Sequence, residues 1–415
     1  MTGPKRQWLA RRVSAAALGM FAVCTALAQT DGNVTWNGEG ATNLWNDADN
    51  WVGNQYPNNP TPGTVTFGTA GQAVTSELEA NRTVGSLYAG HNSSGSACTH
   101  TLDLGGDTLT VSNRLRSIAG YRALRNTLNV TNGTVRVGTD TVAGYIDVYA
   151  AGTIRLRPGA RLNTYNVNTI YLTGNAYAHS YLDLRGAEIV GGTLSATNVT
   201  LDIKSWFGSR IYLDNSTTID AIVVRNALNI ANGSYGGNFY HYIGDPGDGD
   251  RLPPDIDVQV GVDASQRGAL AISRSSRDRT YAKLIASSGG NFVAYLSNLQ
   301  VGVSGTASYN TTPIGYLSIA NMTNCTIDTL AMSVGTDRGN TTDNCKGYVY
   351  LPSGTVTAGD VTVGGTGIGT GVLTMSNTLF TVTNSITLKK TANVQISLGA
   401  TPKGLDIEKG FTADD

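Results

Sequence analysis

Charge is scarce in this sequence. Asp, Glu, Lys and Arg make up 14 % of it, against about 25 % in an ordinary globular domain. Long surface helices need Lys, Glu, Arg and Gln on their wet faces, so the shortage argues against a helical protein. The little charge present is nearly balanced, at a net −1. Lys5, Arg6, Arg11 and Arg12 fall within the first 28 residues, which hold no acid; without those four cations the remainder stands at −5. No basic stripe survives there, and nucleic-acid binding loses its electrostatic footprint.

Cysteine is equally sparse. Four occur, Cys24, Cys98, Cys325 and Cys345, with no CxxC and no neighbouring His, which excludes a zinc site. Cys325 (Asn-Cys-Thr) and Cys345 (Asn-Cys-Lys) stand about one repeat apart. Their spacing leaves two outcomes open, a disulfide in an oxidising space or two buried thiols. The motifs of nucleophilic and metal catalysis are missing as well: no GxSxG, HExxH, P-loop, or GxGxxG opening a helix. His91, His100, His179 and His241 are isolated from one another and from any nucleophile pattern. No residue is assigned as catalytic, cofactor-binding or metal-ligating, and no cofactor is expected.

Glycine is abundant, at 51 residues, and apolar residues make up 40 %. With Thr, Asn and Ser filling the places of charged residues, this composition suits short strands and tight turns with enough apolar material for a core. The first 28 residues read as a secretory signal. A basic segment precedes the apolar stretch 13–27, and Ala26-Leu27-Ala28 supplies small residues for cleavage after Ala28. A buried N-terminal helix is the competing reading. The order basic, apolar, small favours export, and the stretch is too short and broken to span a bilayer. No other apolar run has membrane length, so no transmembrane span is expected.

Residues 29–79 differ from the rest. Trp36, Trp45 and Trp51 lie in Thr-Trp-Asn-Gly, Leu-Trp-Asn and Asn-Trp, followed by Tyr56-Pro57 and Gly63-Thr-Val-Thr-Phe-Gly68. A stack of coils needs its first open edge covered, and this segment reads as that cap. The competing reading is a platform of exposed tryptophans for sugars.

From residue 80 to 415 a theme recurs. Apolar-x-apolar-x-Asn appears from Leu109 to Asn113, Leu128 to Asn132, Leu228 to Asn232, Leu317 to Asn321 and Leu373 to Asn377. Strands also end in Val-Gly at Gly138, Gly302, Gly335 and Gly364. Alternation of period two puts Leu, Val and Ile on one face and Thr, Asn and Ser on the other. Such strands bury their inner faces only by stacking, and Asn and Gly at the corners permit a left-handed backbone. The expected fold is all-β, a right-handed parallel β-helix (solenoid) of about 12–15 coils with an N-terminal tryptophan-rich β cap. An all-β sandwich is the alternative. Two-residue hairpin turns do not run through the chain, which favours the solenoid.

The opening motifs and the later unit from Gly371 to Asn384 resemble exported bacterial β-repeat proteins of the autotransporter-associated, extracellular parallel β-helix type. The likeness covers most of residues 33–410. It implies an exported, extracellular or cell-surface location and a repetitive architecture more than an activity. The chain departs from a full autotransporter in having no C-terminal barrel, and its ending at Phe411-Thr-Ala-Asp-Asp415 leaves open that it is a fragment.

Four features are candidates for chemistry. Asp245, Asp248 and Asp250 on a glycine-rich turn are hard oxygen ligands suited to calcium, without the distal Glu of an EF-hand; a solvated acidic loop is favoured. Asp103, Asp183 and Asp202 alternate with aliphatics, where a solvent-facing residue sits, and a carboxylate pair there would suit polysaccharide cleavage. The glycine run 364–371 suggests a phosphate cradle by count alone; with no helix following, a flexible corner is favoured. Residues 235–257 cluster Tyr235, Phe239, Tyr240, His241 and Tyr242 before the acidic loop, with Arg274, Arg277 and Arg279 beyond. The expected function is a secreted or cell-surface structural and adhesive protein without catalysis, contacting surface polysaccharide or other envelope components. The alternative is a carbohydrate-active module, binder or lyase, using the aromatic and acidic surface near 235–257.

Overall fold

Period-two alternation dominates the chain, and the strands it forms pair in parallel with strands one coil away. The computed structural model describes residues 29–68, 73–90, 97–118, 125–149, 152–174, 179–203, 208–233, 240–275, 279–305, 312–337, 342–397, 405–407 and 411–413. Residues 1–28, read above as a signal, and His91, Trp206, Tyr235, Phe239 and Arg277 lie outside them. Among the described residues helix is confined to two short 3-10 turns, Ala48–Asn50 and Val190–Gly192.

The fold is a parallel β-solenoid with three strand segments to a coil. One side is a sheet of 12 strands running from Ala73–Glu77 to Ala392–Ser397. The other two sides form one continuous sheet that turns a corner in mid-strand. Thr108–Ile118 pairs through its first half with Gly133–Val137 and through its second half with Gly144–Tyr149. Twelve strands make eleven coil-to-coil steps, about 53 Å at a strand spacing of about 4.8 Å.

The interior is a set of aliphatic columns. One runs through ten successive strands as Leu115, Ile146, Ile170, Val199, Leu228, Leu270, Leu299, Met332, Val361 and Ile386, and every member is buried. A residue whose column neighbours are both aliphatic is sheltered above and below, which a single strand cannot provide.

The coils are unequal. Leu373 pairs with Val394, 21 residues on, whereas His241 pairs with Ala282, 41 residues on. Extra residues enter at corners, seen as register shifts at Val84/Ser86, Ala196/Asn198 and Ala358/Asp360. The Asn units consequently do not mark one position per coil. Leu109 opens the turned sheet's first side, Leu228 lies on its second, and Leu128, Leu317 and Leu373 belong to the 12-stranded sheet. The corner chemistry is as expected: Asn132 and Asn377 adopt φ of 53° and 52°, and Gly138, Gly302, Gly335 and Gly364 are all left-handed.

Trp36, Trp45 and Trp51 are buried at the N-terminal end of the core cluster. Trp36 and Trp45 each meet Trp51 edge to face, at 5.0 and 5.1 Å, and Phe67 stacks on His100 of the next coil at 3.7 Å. The Trp51 indole donates to the Trp45 carbonyl at 2.8 Å. Rings so enclosed cannot stack on a sugar, which corrects the platform reading. Parallel pairing also starts ahead of residue 80: Val34–Trp36 pairs with Thr61–Phe67, which pairs with Arg82–Ala89.

Candidate ligand-binding face

Strand register places chemistry side by side that the sequence holds far apart. On the outer surface of the 12-stranded sheet one column reads Tyr181, Arg210, Tyr242, Lys283, Tyr316, Tyr348. Aromatic and cation alternate over its first five members, and its five steps span about 24 Å. The adjacent outward column contains Arg155, Asp183 and Tyr212.

These side chains touch along the axis. Tyr181 stacks on Tyr212 at 5.1 Å and Tyr316 on Tyr348 at 4.5 Å, with ring planes 7° apart in the second pair. Tyr240 meets Tyr281 edge to face at 4.5 Å, and Tyr281 meets Tyr316 at 5.5 Å. The cations lie against these rings: Arg185 over Tyr212 at 4.9 Å, Arg210 over Tyr242 at 5.3 Å, and Lys283 over Tyr281 at 5.4 Å. Ring faces are thus used within the strip, and Tyr242 is itself buried, which leaves edges and hydroxyls of the half-buried tyrosines for solvent. Burial pushes the Tyr181 hydroxyl up to about 12, with Tyr212 adding to the effect, and burial also raises Tyr242 and Tyr316. At neutral pH all three remain protonated donors.

At the N-terminal end of the strip lies a cleft of about 440 Å³ whose lining includes Arg155, Arg157, Arg185, Asp183 and Asp214. Asp183 is buried and accepts from Arg155 Nε at 2.8 Å and from Arg185 Nε and Nη2, each at 2.8 Å. Burial works to raise its pKa, but the Arg185 and Arg155 hydrogen bonds and charges outweigh burial and hold it below the ordinary carboxylate value. Arg157 is exposed and, among the described residues, makes no side-chain hydrogen bond or ion pair. Arg210 donates to the Tyr240 carbonyl at 3.3 Å and to the Tyr212 hydroxyl at 3.2 Å. Four arginines against Asp183 and Asp214 leave this end at +2, in a chain whose net charge is −1. A smaller cluster of the same chemistry sits on the turned sheet, where Arg116 forms an ion pair with Asp147 at 3.1 Å and lies near the Tyr88 and Tyr149 rings.

Several sequence candidates are redistributed. Asp183 is not the solvent-facing residue its alternation suggested; it is a buried anchor for two arginines. Asp103 accepts from Asn132 at 3.0 Å and from the Gly105 amide at 3.0 Å. Asp202 lies in the turned sheet, opposite Thr173. The three carboxylates therefore share no site.

In the acidic loop, Asp245 and Arg251 form an antiparallel bridge, the Gly247 amide donates to Asp245 at 2.7 Å, and Lys283 donates to Asp250 at 3.0 Å. Asp245 and Asp250 thus already serve protein partners, and among the described residues no three His, Cys, Asp or Glu come together in a way that could hold a metal ion. Arg274 and Arg279 fall on different sheets. His100 and His241 are interior. Cys98, Cys325 and Cys345 are buried thiols; Gly354, not Cys345, stands one coil beyond Cys325. The 364–371 run does cradle an anion, but a protein one. Thr366 and Gly367 amides donate to the Asp337 carboxylate at 2.6 and 3.1 Å.

Sequence reasoning found Tyr240, Tyr242 and Asp250 of this face. It missed Arg155, Arg185, Arg210, Tyr181, Tyr212, Tyr281, Lys283, Tyr316 and Tyr348. Their only sequence signal is a Tyr, Arg or Lys at a polar position of an alternating strand, as in Ser-Tyr-Leu-Asp or Tyr-Ala-Lys-Leu. Among the described residues no helix is long and apolar enough to cross a membrane. Comparison with known proteins returned no match, whether to a family model, a curated protein or a solved structure.

Proposed function

We propose that the chain is an exported structural and adhesive rod that works by presenting a fixed surface rather than by turning over a substrate. The observation that carries this reading is the unbroken register of the 12-stranded sheet, which aligns Tyr181, Arg210, Tyr242, Lys283, Tyr316 and Tyr348 on one straight face. A rigid row of hydroxyls and cations suits repeated weak contacts with an extended partner, because the row is ordered before binding and each contact adds to the others. The basic, apolar and small order of residues 1–28, and the likeness to extracellular β-repeat proteins, support an extracellular or cell-surface location. The aromatic side of the carbohydrate alternative is favoured by the Lys283 contacts with Tyr240, Tyr281 and Asp250, which join the acidic loop to the strip; this makes envelope polysaccharide the leading partner class.

The test is expression of the full chain in a bacterial host, followed by fractionation and measurement of the mature N-terminus. Cleavage after Ala28 and retention of the purified protein on envelope material are expected. An uncleaved chain held in the cytoplasm, or an exported one that no envelope fraction retains, would overturn the reading.

A further inference from the structure

The cleft at Arg155, Arg157 and Arg185 is where the strip's positive charge is least compensated. Asp183 satisfies Arg155 and Arg185 together, and with Asp214 also in the lining, Arg155, Arg157 and Arg185 against two carboxylates leave the cleft one net positive charge. Arg157 is exposed in the same cleft and has no acidic partner among the described residues. One coil further along, Arg210 lies over Tyr181 and Tyr242 and donates to the Tyr240 carbonyl and the Tyr212 hydroxyl. Cationic groups thus recur along the axis, with tyrosine hydroxyls between them.

That pattern selects the chemistry of a partner. A nucleic acid carries a charge every ~1.7 Å of duplex and demands dense cations, whereas this face offers only a few over several coils. A neutral polymer would leave Arg157 without an anion. A linear polymer with one carboxylate per unit and hydroxyls between fits both features: its acid group meets a guanidinium bidentately, and its hydroxyls meet protonated tyrosines. We infer that the Arg155–Arg157–Arg185 cleft and the adjoining tyrosine column bind a linear acidic polysaccharide, with a uronate carboxylate seated against Arg157. This inference rests on the adhesive reading and names its ligand.

The experiment is binding of the full-length protein to immobilised polygalacturonate at low salt. Carboxyl-reduced polygalacturonate and polyglutamate serve as the neutral and the non-sugar probes, with Arg157→Ala and Arg157→Glu as variants. Arg157 is exposed, so both variants should fold, which the thermal midpoint checks. Wild type should bind polygalacturonate and lose affinity with added salt. Arg157→Ala should weaken binding about fivefold, and Arg157→Glu should weaken it further. Equal binding of the reduced polymer, equal binding of polyglutamate, or an unchanged affinity in Arg157→Glu would each overturn the inference. Retention on envelope material is measured in parallel. If Arg157→Glu is retained as well as wild type, this ligand assignment falls and the adhesive reading stands; if wild type is not retained at all, the adhesive reading itself falls.

Discussion

Asp183 holds Arg155 and Arg185 at once, one from the preceding coil and one from two residues along its own. Its side chain is 4 % exposed and theirs are 33 and 37 % exposed. Removing the carboxylate would leave two guanidiniums facing each other without the one anion that hydrogen-bonds both. Asp183→Asn should therefore lower stability by about 1–3 kcal/mol, read as a shift in the urea midpoint. It should also strengthen binding of an acidic polymer, since the cleft gains one positive charge. Stability and binding moving the same way would refute the double role. Because the native pKa of Asp183 is lowered, its contribution is present above the ordinary carboxylate value and is lost as pH falls below it.

A second prediction concerns acid. His100 and His241 are fully interior, and burial lowers both to about 3; the nearby Arg210 charge adds to the effect on His241. His241 Nδ1 accepts from the Ser209 amide at 3.2 Å, so the proton sits on Nε2, which has no hydrogen-bond partner among the described residues. The unfolded chain takes up protons near pH 6.5 while the folded one does not. Stability is therefore complete above 6.5 and falls as pH drops toward 3, by about 1.4 kcal/mol per pH unit for each histidine. Urea midpoints at pH 7 and pH 5 should differ clearly in wild type and by less in His241→Leu. Identical pH dependence in the two proteins would mean that this imidazole is protonated in the fold.

The contrast between these two sites indicates what the sequence discloses. Alternation is local, so strands such as Thr-Leu-Asn-Val and Tyr-Ala-Lys-Leu declare their inward residues directly, and the stacked aliphatic core followed from them. The tryptophan segment was legible as aromatic and distinct, but not as buried: Trp36, Trp45 and Trp51 prove to be interior, which a run of three indoles does not decide by itself. Column neighbours were not legible. Tyr242 lies beside Arg210 and Lys283, 32 and 41 residues away, and these intervals differ because the loops between strands differ in length. A repeat without a fixed period conceals its own register, so the arginine–tyrosine face could not be assembled from spacing. Asp183 was misread for the same reason. It sits at an outward position, but Arg155 covers it from the neighbouring coil.

Backbone proximity between coils gives a third prediction. Gly302 has φ +65°, and a Cβ there would lie 2.0 Å from the Lys346 carbonyl oxygen. That oxygen is main chain in a neighbouring strand and cannot step aside. Gly249 also has φ +65°, yet a Cβ would meet nothing within 4 Å among the described residues. Gly249→Ala should cost only the left-handed conformation, about 1 kcal/mol. Gly302→Ala adds a main-chain collision and should cost more than about 3 kcal/mol or prevent folding. Comparable urea midpoints for the two variants would disprove the close-approach account.

The last prediction takes up the glycine run 364–371 and its internal anion. Asp337 is one coil earlier, with its side chain 1 % exposed and Lys389 Nζ 3.6 Å from Oδ1. Its Oδ2 accepts the Thr366 amide at 2.6 Å and the Gly367 amide at 3.1 Å, and the Thr366 hydroxyl lies 3.1 Å away. The carboxylate thus satisfies backbone donors that a glycine corner leaves without ladder partners. Asp337→Ala would strand those amides and the nearby lysine together, at a cost of about 1–3 kcal/mol. The loss should be local before it is global. Amide hydrogen exchange at Thr366 and Gly367 should accelerate at least about tenfold, while Val361 and Val363 in the adjoining strand keep their protection. Unchanged exchange at Thr366 and Gly367 would show that the corner holds its shape without the carboxylate.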